Sequence, residues 1–444
     1  MSKHLYLIGI GGVGMVWIAD YALAQGWQVS GSDVQESDIT RRLSAAGANI
    51  HIGCDPSAIP GTITEGIITS ANTPASPSYP EFQELERRGV PISKRAQWTG
   101  KITKNHYTIA VAGAHGKTTT SGMIGWILDK AGYDPTVFVG GSLTAWGNAT
   151  KIGKSEYLVI EADEYDRSFH NFYPQIAVVL NIDKDHTDYY TGGLPEIEAS
   201  YKRFLRNLPS EVHASPRGRG MLIGNAKDSR LRKIARGFKY AFRWQSPEVF
   251  YPGIHPPQPG KHVMFNASCA ARVAHELGIP QDVIQQAIAS FPGVGRRFEL
   301  LGEWNAATLF DDYAHHPTEV RATLQAARES WPAGGNTKLT VVFQPHQKAR
   351  TKELLDEFAH CFDANTPDHL ILAPIYHVAG REEGIEIESS AIAERMGHLA
   401  GKLQLDVATD LEQLKQLVQQ ASTEPGILMV MGAGNIRALA TSWC

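Results

Sequence analysis

The sequence is poor in several features, and each shortage narrows what the chain can do. Its 444 residues include only four cysteines, Cys54, Cys269, Cys361 and Cys444, none in a Cys-x-x-Cys pair. That scatter argues against a disulfide framework or a thiolate zinc site and fits a reducing compartment. No uninterrupted apolar run approaches the roughly 18 residues a membrane span requires. The start Met1-Ser2-Lys3-His4 leads directly into a strand-like segment without a signal-peptide core. A cytoplasmic protein with no membrane partner is therefore expected. An excess of one charge sign is also missing: 42 Lys and Arg face 46 Asp and Glu, for a formal net charge of -4. Nucleic-acid binding usually needs a basic domain or stripe, so nucleic acid is not an expected partner. Short-period repeats and low-complexity tracts are absent as well.

What is present reads as a globular α/β protein. Hydrophobic residues make up 43% of the chain and charged ones 20%, an ordinary globular balance. At about 150 residues per domain the length suggests two to four units. Three segments each open on a β-rich run and continue with alternating strand and helix patterns, which predicts parallel sheets covered by helices. The first has strands at Leu5 to Ile8, Trp27 to Ser30, near Ile50 and at Gly66 to Thr69, with a helix through about Gln25. The second has strands at Tyr107 to Val111, Tyr157 to Ile160 and Ile176 to Leu180, and a helix after Lys117 with Met123, Ile127 and Leu128 at helical spacing. Ser210 to Gly220 and Tyr251 to Gly260 read as loops by their Pro, Gly and Ser content. The third has strands near Thr308 to Phe310, Leu339 to Phe343, Leu370 to Leu372 and Ile427 to Met431. The expected domains are 1–104, 105–296 and 297–444: Rossmann-like, P-loop ATPase-like and Rossmann-like in turn.

Two glycine-rich turns compete to define the chemistry. Gly9-Ile10-Gly11-Gly12-Val13-Gly14 satisfies G-x-G-x-x-G between a strand and a helix, with Asp33 about 20 residues on after a second strand. Glycines there let the backbone approach a pyrophosphate at a helix N-terminus, and the acid can reach a ribose hydroxyl. Alone, this turn fits a nicotinamide dehydrogenase, or a tight turn with no ligand. Gly113-Ala114-His115-Gly116-Lys117-Thr118-Thr119-Thr120 is the second, again at a strand-helix junction. Backbone N–H groups can cradle phosphates, Lys117 can neutralise β and γ oxygens, and a threonine hydroxyl can reach magnesium. It is shorter than the usual P-loop, with two residues between its glycines. A dehydrogenase has no use for this second turn, whereas an ATP-dependent enzyme acting on a nucleotide-linked substrate needs both.

Acidic clusters follow at strand ends, where ligands bind in α/β sheets. Glu161-Ala162-Asp163-Glu164-Tyr165-Asp166 ends one strand and Asn181-Ile182-Asp183-Lys184-Asp185-His186 another. Carboxylates near a triphosphate can hold magnesium, and His186 points to the same role, although such runs also occur as solvated loops.

These motifs, together with Ser30-Gly31-Ser32-Asp33, Arg296-Arg297-Phe298-Glu299, Asp311-Asp312-Tyr313-Ala314-His315-His316-Pro317 and Phe343-Gln344-Pro345-His346, resemble the Mur ligases of peptidoglycan synthesis over essentially the whole chain. The resemblance implies an ATP-dependent amide ligase that joins L-alanine to the lactyl carboxylate of UDP-N-acetylmuramate through an acyl phosphate. A recycling ligase that adds a preformed L-alanyl-γ-D-glutamyl-diaminopimelate tripeptide is the alternative. By the same resemblance, Gly11, Gly12, Gly14, Ser32, Asp33 and Ser70 bind the sugar nucleotide. Gly113, Ala114, His115, Gly116, Lys117, Thr118, Thr119, Asn266, Arg297 and Asp312 bind ATP. Thr118, Glu161 and His186 hold magnesium, and Lys117, Glu161, His186 and His315 are catalytic. Tyr313, His346 and Arg350 contact substrate, His346 and Arg350 the incoming amino acid. The expected assembly is a monomer or homodimer. Departures from the family pattern are Cys54 where histidine is frequent, Val263 where an amide is frequent, the stretch Gln347-Lys348-Ala349-Arg350 in the amino-acid region, and Arg381 where glutamate is frequent.

Overall fold

A computed structural model describes residues 3–70, 72–186, 189–209, 218–377 and 384–442. Within them the chain divides into two compact units, residues 1–252 with 268–288 and residues 253–267 with 289–444.

The first unit carries two sheets. In the N-terminal one, β1 (His4–Ile8), β2 (Gln28–Asp33), β3 (Asn49–Ile52), β4 (Glu65–Ile68) and β5 (Ile92–Lys94) lie in the order β3-β2-β1-β4-β5, all parallel. The second contains β6 (Tyr107–Ala112), β7 (Thr136–Leu143), β8 (Asn148–Lys151), β9 (Tyr157–Glu161), β10 (Ile176–Val179), β11 (Met221–Asn225) and β12 (Ala241–Gln245). Its order is β12-β11-β10-β6-β9-β7-β8, parallel except for the β7-β8 edge. The central strands of this sheet are buried on both faces, which is why Ile109-Ala110-Val111 and Ile176-Ala177-Val178-Val179 are continuous apolar runs.

One aromatic cluster joins the two sheets. Trp17, on the helix Val13–Ala24, packs 4.1 Å from Phe138 of β7 and 5.9 Å from Trp98, centroid to centroid. Burying such rings contributes on the order of 2–3 kcal/mol each. Both glycine-rich turns therefore stand on one packed support.

The second unit holds the third sheet: β13 (Glu299–Trp304), β14 (Ala307–Asp312), β15 (Lys338–Phe343), β16 (His369–Leu372), β17 (Gln404–Val407) and β18 (Gly426–Met431), ordered β13-β14-β18-β15-β16-β17. Only β13 runs antiparallel to its neighbour. The α/β class expected from the alternation, with three mainly parallel sheets, is what the molecule shows. Tyr251 to Gly260 carries no helix or strand. Most of the expected loop at Ser210 to Gly220, residues 210–217, lies outside the described residues, as do Arg381 and Cys444.

Candidate active site

The N-terminal turn is organised by hydrogen bonds that glycine makes possible. Gly9 adopts φ 76°, and the N–H groups of Gly9 and Ile10 both donate to Ser32 O. Gly11 N donates to Asp33 Oδ2 at 2.8 Å, and a Cβ on Gly11 would come within 2.9 Å of that oxygen. Asp33 thus braces the turn. Ser32 is 1% exposed and donates its hydroxyl to Glu81 at 2.5 Å, while Tyr6 donates to the other oxygen of the same carboxylate. This buried network places Ser32 beneath the turn as its support. Ser70 lies just past β4 and is exposed. Gly12 and Gly14 open the helix, and a Cβ on Gly14 would come within 3.2 Å of Arg95 Nη1. Arg95 begins the helix after β5, so the fold brings a half-buried guanidinium to the turn from 81 residues downstream of Gly14.

The second turn is built differently. Gly113 (φ 142°) presses against the residue just past β10, where a Cβ would meet Leu180 Cβ at 3.1 Å. Gly116 is left-handed (φ 86°) and caps the helix Lys117–Lys130. The Asn181 side chain clamps the loop from the neighbouring strand end: its Oδ1 accepts from His115 N and its Nδ2 donates to His115 O, both at 3.0 Å. His115 Nε2 also lies 3.3 Å from Asp183 Oδ2. Lys117, the first helical residue, turns back over the loop, donating to Gly113 O at 2.7 Å and to Glu164 Oε2 at 3.0 Å. Glu164 is 3% exposed. Burial of Lys117 opposes its charge, but Glu164, Asp163 and Glu161 outweigh that and hold the ammonium above its ordinary pKa.

Two donor groups flank this lysine. Glu161, at the end of β9, accepts from Gly140 N and from the Thr118 hydroxyl. Asp163, Glu164 and His186 form the other group, with ligand atoms within 4.8 Å of one another. Burial pushes the Glu161 and Glu164 carboxyls above the usual range, against the pull of Lys117. His186 sits at φ 53°, a left-handed conformation that few histidines adopt, with its N–H on Asp185 Oδ1. Backbone strain of this kind costs about 1–3 kcal/mol and clusters at functional sites. Of the residues expected at the phosphate and metal site, Gly113 to Thr118, Glu161 and His186 thus lie around Lys117. Thr119 follows in the first turn of the same helix. Asp163, Glu164 and Asn181 were quoted in the strand-end clusters without an individual role, and Arg95 was not foreseen. The acidic strand end was the available signal for the first two, whereas no local pattern marks Asn181 or Arg95.

In the second unit, Asp312 ends β14 and is 6% exposed. It accepts from Phe298 N, Ala314 N and the Thr323 hydroxyl. Burial raises its pKa despite Arg297 and these donors. Arg296 and Arg297 place their guanidinium groups 4.8 and 4.9 Å from the Tyr313 ring centre. His315 Nδ1 lies 3.0 Å from Tyr313 O and 3.2 Å from Glu319 Oε2. Its ring meets those of Tyr313 and His346 edge-on, and His346 stacks on Tyr376 at 5.3 Å. Gln347 follows at φ 73° and leads into the short helix that carries Arg350. Tyr376, just beyond β16, was also not foreseen. On the helix Lys261–Glu276, Asn266 is 6% exposed, and burial brings the pKa of His262 down to about 4.

Comparison with known proteins gives this arrangement its context. Three family models match in sequence order: Mur ligase family, catalytic domain over residues 4–107, Mur ligase middle domain over 111–274, and Mur ligase, glutamate ligase domain over 296–434. A UDP-N-acetylmuramate--L-alanine ligase of Trichlorobacter lovleyi is 40% identical over 453 residues, covering 98% of this chain and 96% of its own. One from Geobacter sulfurreducens is 36% identical over 454 residues, covering 98% and 95%. Among solved structures, the UDP-N-acetylmuramate-alanine ligase MurC of Thermotoga maritima shares the fold with TM-score 0.78 at 23% identity, covering 100% of this chain and 98% of that one. A murein peptide ligase of Psychrobacter arcticus does so with TM-score 0.70 at 21% identity, covering 100% and 98%. Relatives this similar over nearly the full length establish that the chain belongs to the Mur ligase family.

Proposed function

We propose that the chain is an ATP-dependent ligase that joins L-alanine to the lactyl carboxylate of UDP-N-acetylmuramate, in the cytoplasm, with ADP and phosphate as the other products. The observation that carries this reading is the partly buried Lys117, first residue after a left-handed glycine, facing the carboxylates of Glu164, Asp163 and Glu161. A lysine in that place suits the β and γ phosphates of ATP, with the donor N–H groups of the helix start beside it. The names of the 36–40% identical relatives support the choice of substrates.

Asp163, Glu164 and His186, with Glu161 and Thr118 close by, make a donor set that fits a divalent cation. Magnesium bound there supplies charge neutralisation at the β and γ oxygens. Lys117 leaves Glu164 for the phosphates and offsets charge as the lactyl carboxylate oxygen bonds to the γ-phosphorus and the bond to ADP breaks. The resulting acyl phosphate then takes the amine of L-alanine at its carbonyl carbon. Phosphate leaves, and the amine gives up a proton. Such chemistry asks mainly for positioning and electrostatics from the protein. In this reading the glycines at Gly11, Gly12 and Gly14 admit the diphosphate of the sugar nucleotide and Arg95 offsets its charge. Arg297, Asp312 and His315 serve ATP and substrate, and His346 and Arg350 the amino acid.

ADP release with UDP-N-acetylmuramate present, and L-alanine, glycine, L-serine or the tripeptide added in turn, tests the reading. Stimulation by L-alanine is expected. Stimulation by the tripeptide alone would transfer the chain to the recycling reaction, and none by any of the four would end the ligase reading.

A further inference from the structure

Away from the glycine turns, three side chains converge on the surface of the second unit. His360 ends the helix Leu355–His360, Asp363 follows it, and His398 sits in the 3-10 turn Gly397–Leu399. His360 Nδ1 lies 2.8 Å from Asp363 Oδ2, and His398 Nε2 lies 2.7 Å from Asp363 Oδ1. The two imidazole centroids are 5.0 Å apart. One ligand atom from each residue falls within 4.8 Å of the others.

The buried neighbours hold this trio in place. Cys361 and Phe362 are each 0% exposed, and Met396 and Leu399, either side of His398, are 2% and 4% exposed. Those side chains anchor both segments in the core, so His360, Asp363 and His398 face outward from fixed backbone. The Cys361 thiol is not part of the group, because it donates inward to Phe358 O and burial raises its pKa. Arg395, three residues before His398, is paired with Asp356 at 2.7 Å. Partial burial pushes the Asp363 carboxyl up, but the two imidazoles outweigh it and keep the group ionised to lower pH than usual.

Two imidazoles and one carboxylate make a borderline donor set, which suits zinc, copper or nickel better than magnesium. Zinc bonds of about 2.0–2.2 Å put tetrahedral ligand atoms roughly 3.3 Å apart. One imidazole nitrogen already lies against each oxygen of Asp363, at 2.8 and 2.7 Å, and one ligand atom from each residue lies within 4.8 Å of the others, so the three side chains can close on a shared cation by side-chain rotation. Neutral imidazoles would then carry their protons on the other ring nitrogens, with water as the fourth ligand. We propose that His360, Asp363 and His398 form a surface site for a divalent transition-metal cation of the zinc class, separate from the magnesium used in catalysis. Occupancy ties the end of the helix Leu355–His360 to the turn at His398.

Untagged full-length protein, stripped with chelator and kept in excess magnesium, is titrated with zinc alone by calorimetry. Wild type should bind one zinc more than the double variant His360→Ala/His398→Ala, and Asp363→Asn should weaken that zinc by at least about tenfold. Cobalt should give the visible bands of a tetrahedral site in wild type and not in the double variant. Zinc should raise the melting temperature of wild type only. Equal zinc stoichiometry in wild type and double variant overturns the proposal. His398→Gln keeps a polar side chain at the surface and provides a second test, since undiminished zinc affinity in it overturns the proposal too.

Discussion

The two glycine-rich turns share a plan and differ in where charge is placed. Each joins a parallel strand to a helix and opens a backbone cradle. At the first, the acid Asp33 is occupied by Gly11 N, and a cation at the glycines, Arg95, comes from a distant strand end. At the second, the cation is Lys117 itself, built into the helix start and enclosed by Glu161, Asp163 and Glu164. A phosphate that is only held in place can be served by backbone N–H groups and one half-buried guanidinium. A phosphate that is transferred develops charge in its transition state, which rewards a buried, pre-placed cation among metal ligands. In the proposed reading, the first turn holds a phosphate and the second transfers one.

Several experiments can break or sharpen that contrast. Lys117→Ala should lower turnover by about 1000-fold or more, while calorimetric affinity for UDP-N-acetylmuramate stays within about twofold of wild type. Equal damage to both would dissolve the distinction. Glycine substitutions should separate in the same way. In Gly113→Ala the positive φ and the Leu180 contact at 3.1 Å should cost about 1–3 kcal/mol, read as a lower melting temperature with a raised KM for ATP. Gly11→Ala, with its Cβ 2.9 Å from Asp33, should raise the KM for the sugar nucleotide and spare that for ATP. Arg95→Ala should weaken sugar-nucleotide binding about tenfold, the value of one charged hydrogen bond, without moving the KM for ATP.

The smallest effect concerns pH. Burial raises the pKa of Glu161 and Glu164, so these carboxyls keep their protons to higher pH than ordinary glutamates. Protons should therefore compete with magnesium as pH falls, from a higher pH than model carboxylates would allow. Measured magnesium affinity should decline with falling pH, by at most about tenfold per unit for each proton taken up. A flat profile would show that the lysine and metal hold both acids ionised throughout.

Much of the fold was legible because buried parallel strands are written as apolar runs: β1, β6, β10, β15 and β18 each stand out. Several other strands were not, among them the long β7, the interior β11, and β17. β5 has three residues, β8 and β13 are antiparallel edges, and β12 is partly exposed, so none carries a distinctive pattern. At the site, glycines and acids at strand ends were readable because backbone approach and metal binding demand those residue types. Asn181, which clamps His115 from 66 positions away, and Tyr376, which stacks on His346, were not, because an amide or a ring carries no local periodic signal.

The sequence by itself determined the class of chemistry: two phosphate-accommodating turns, one with a lysine, and acids where parallel strands end. Residue types at fixed local spacing are enough for that, since glycine conformations and helix starts are local physics. Only the tertiary structure decided which charges meet. It set Lys117 against Glu164, Arg95 over Gly14, Ser32 beneath its turn on Glu81, and His360 beside His398. Those meetings depend on strand order and packing across tens of residues, which no local window of sequence contains.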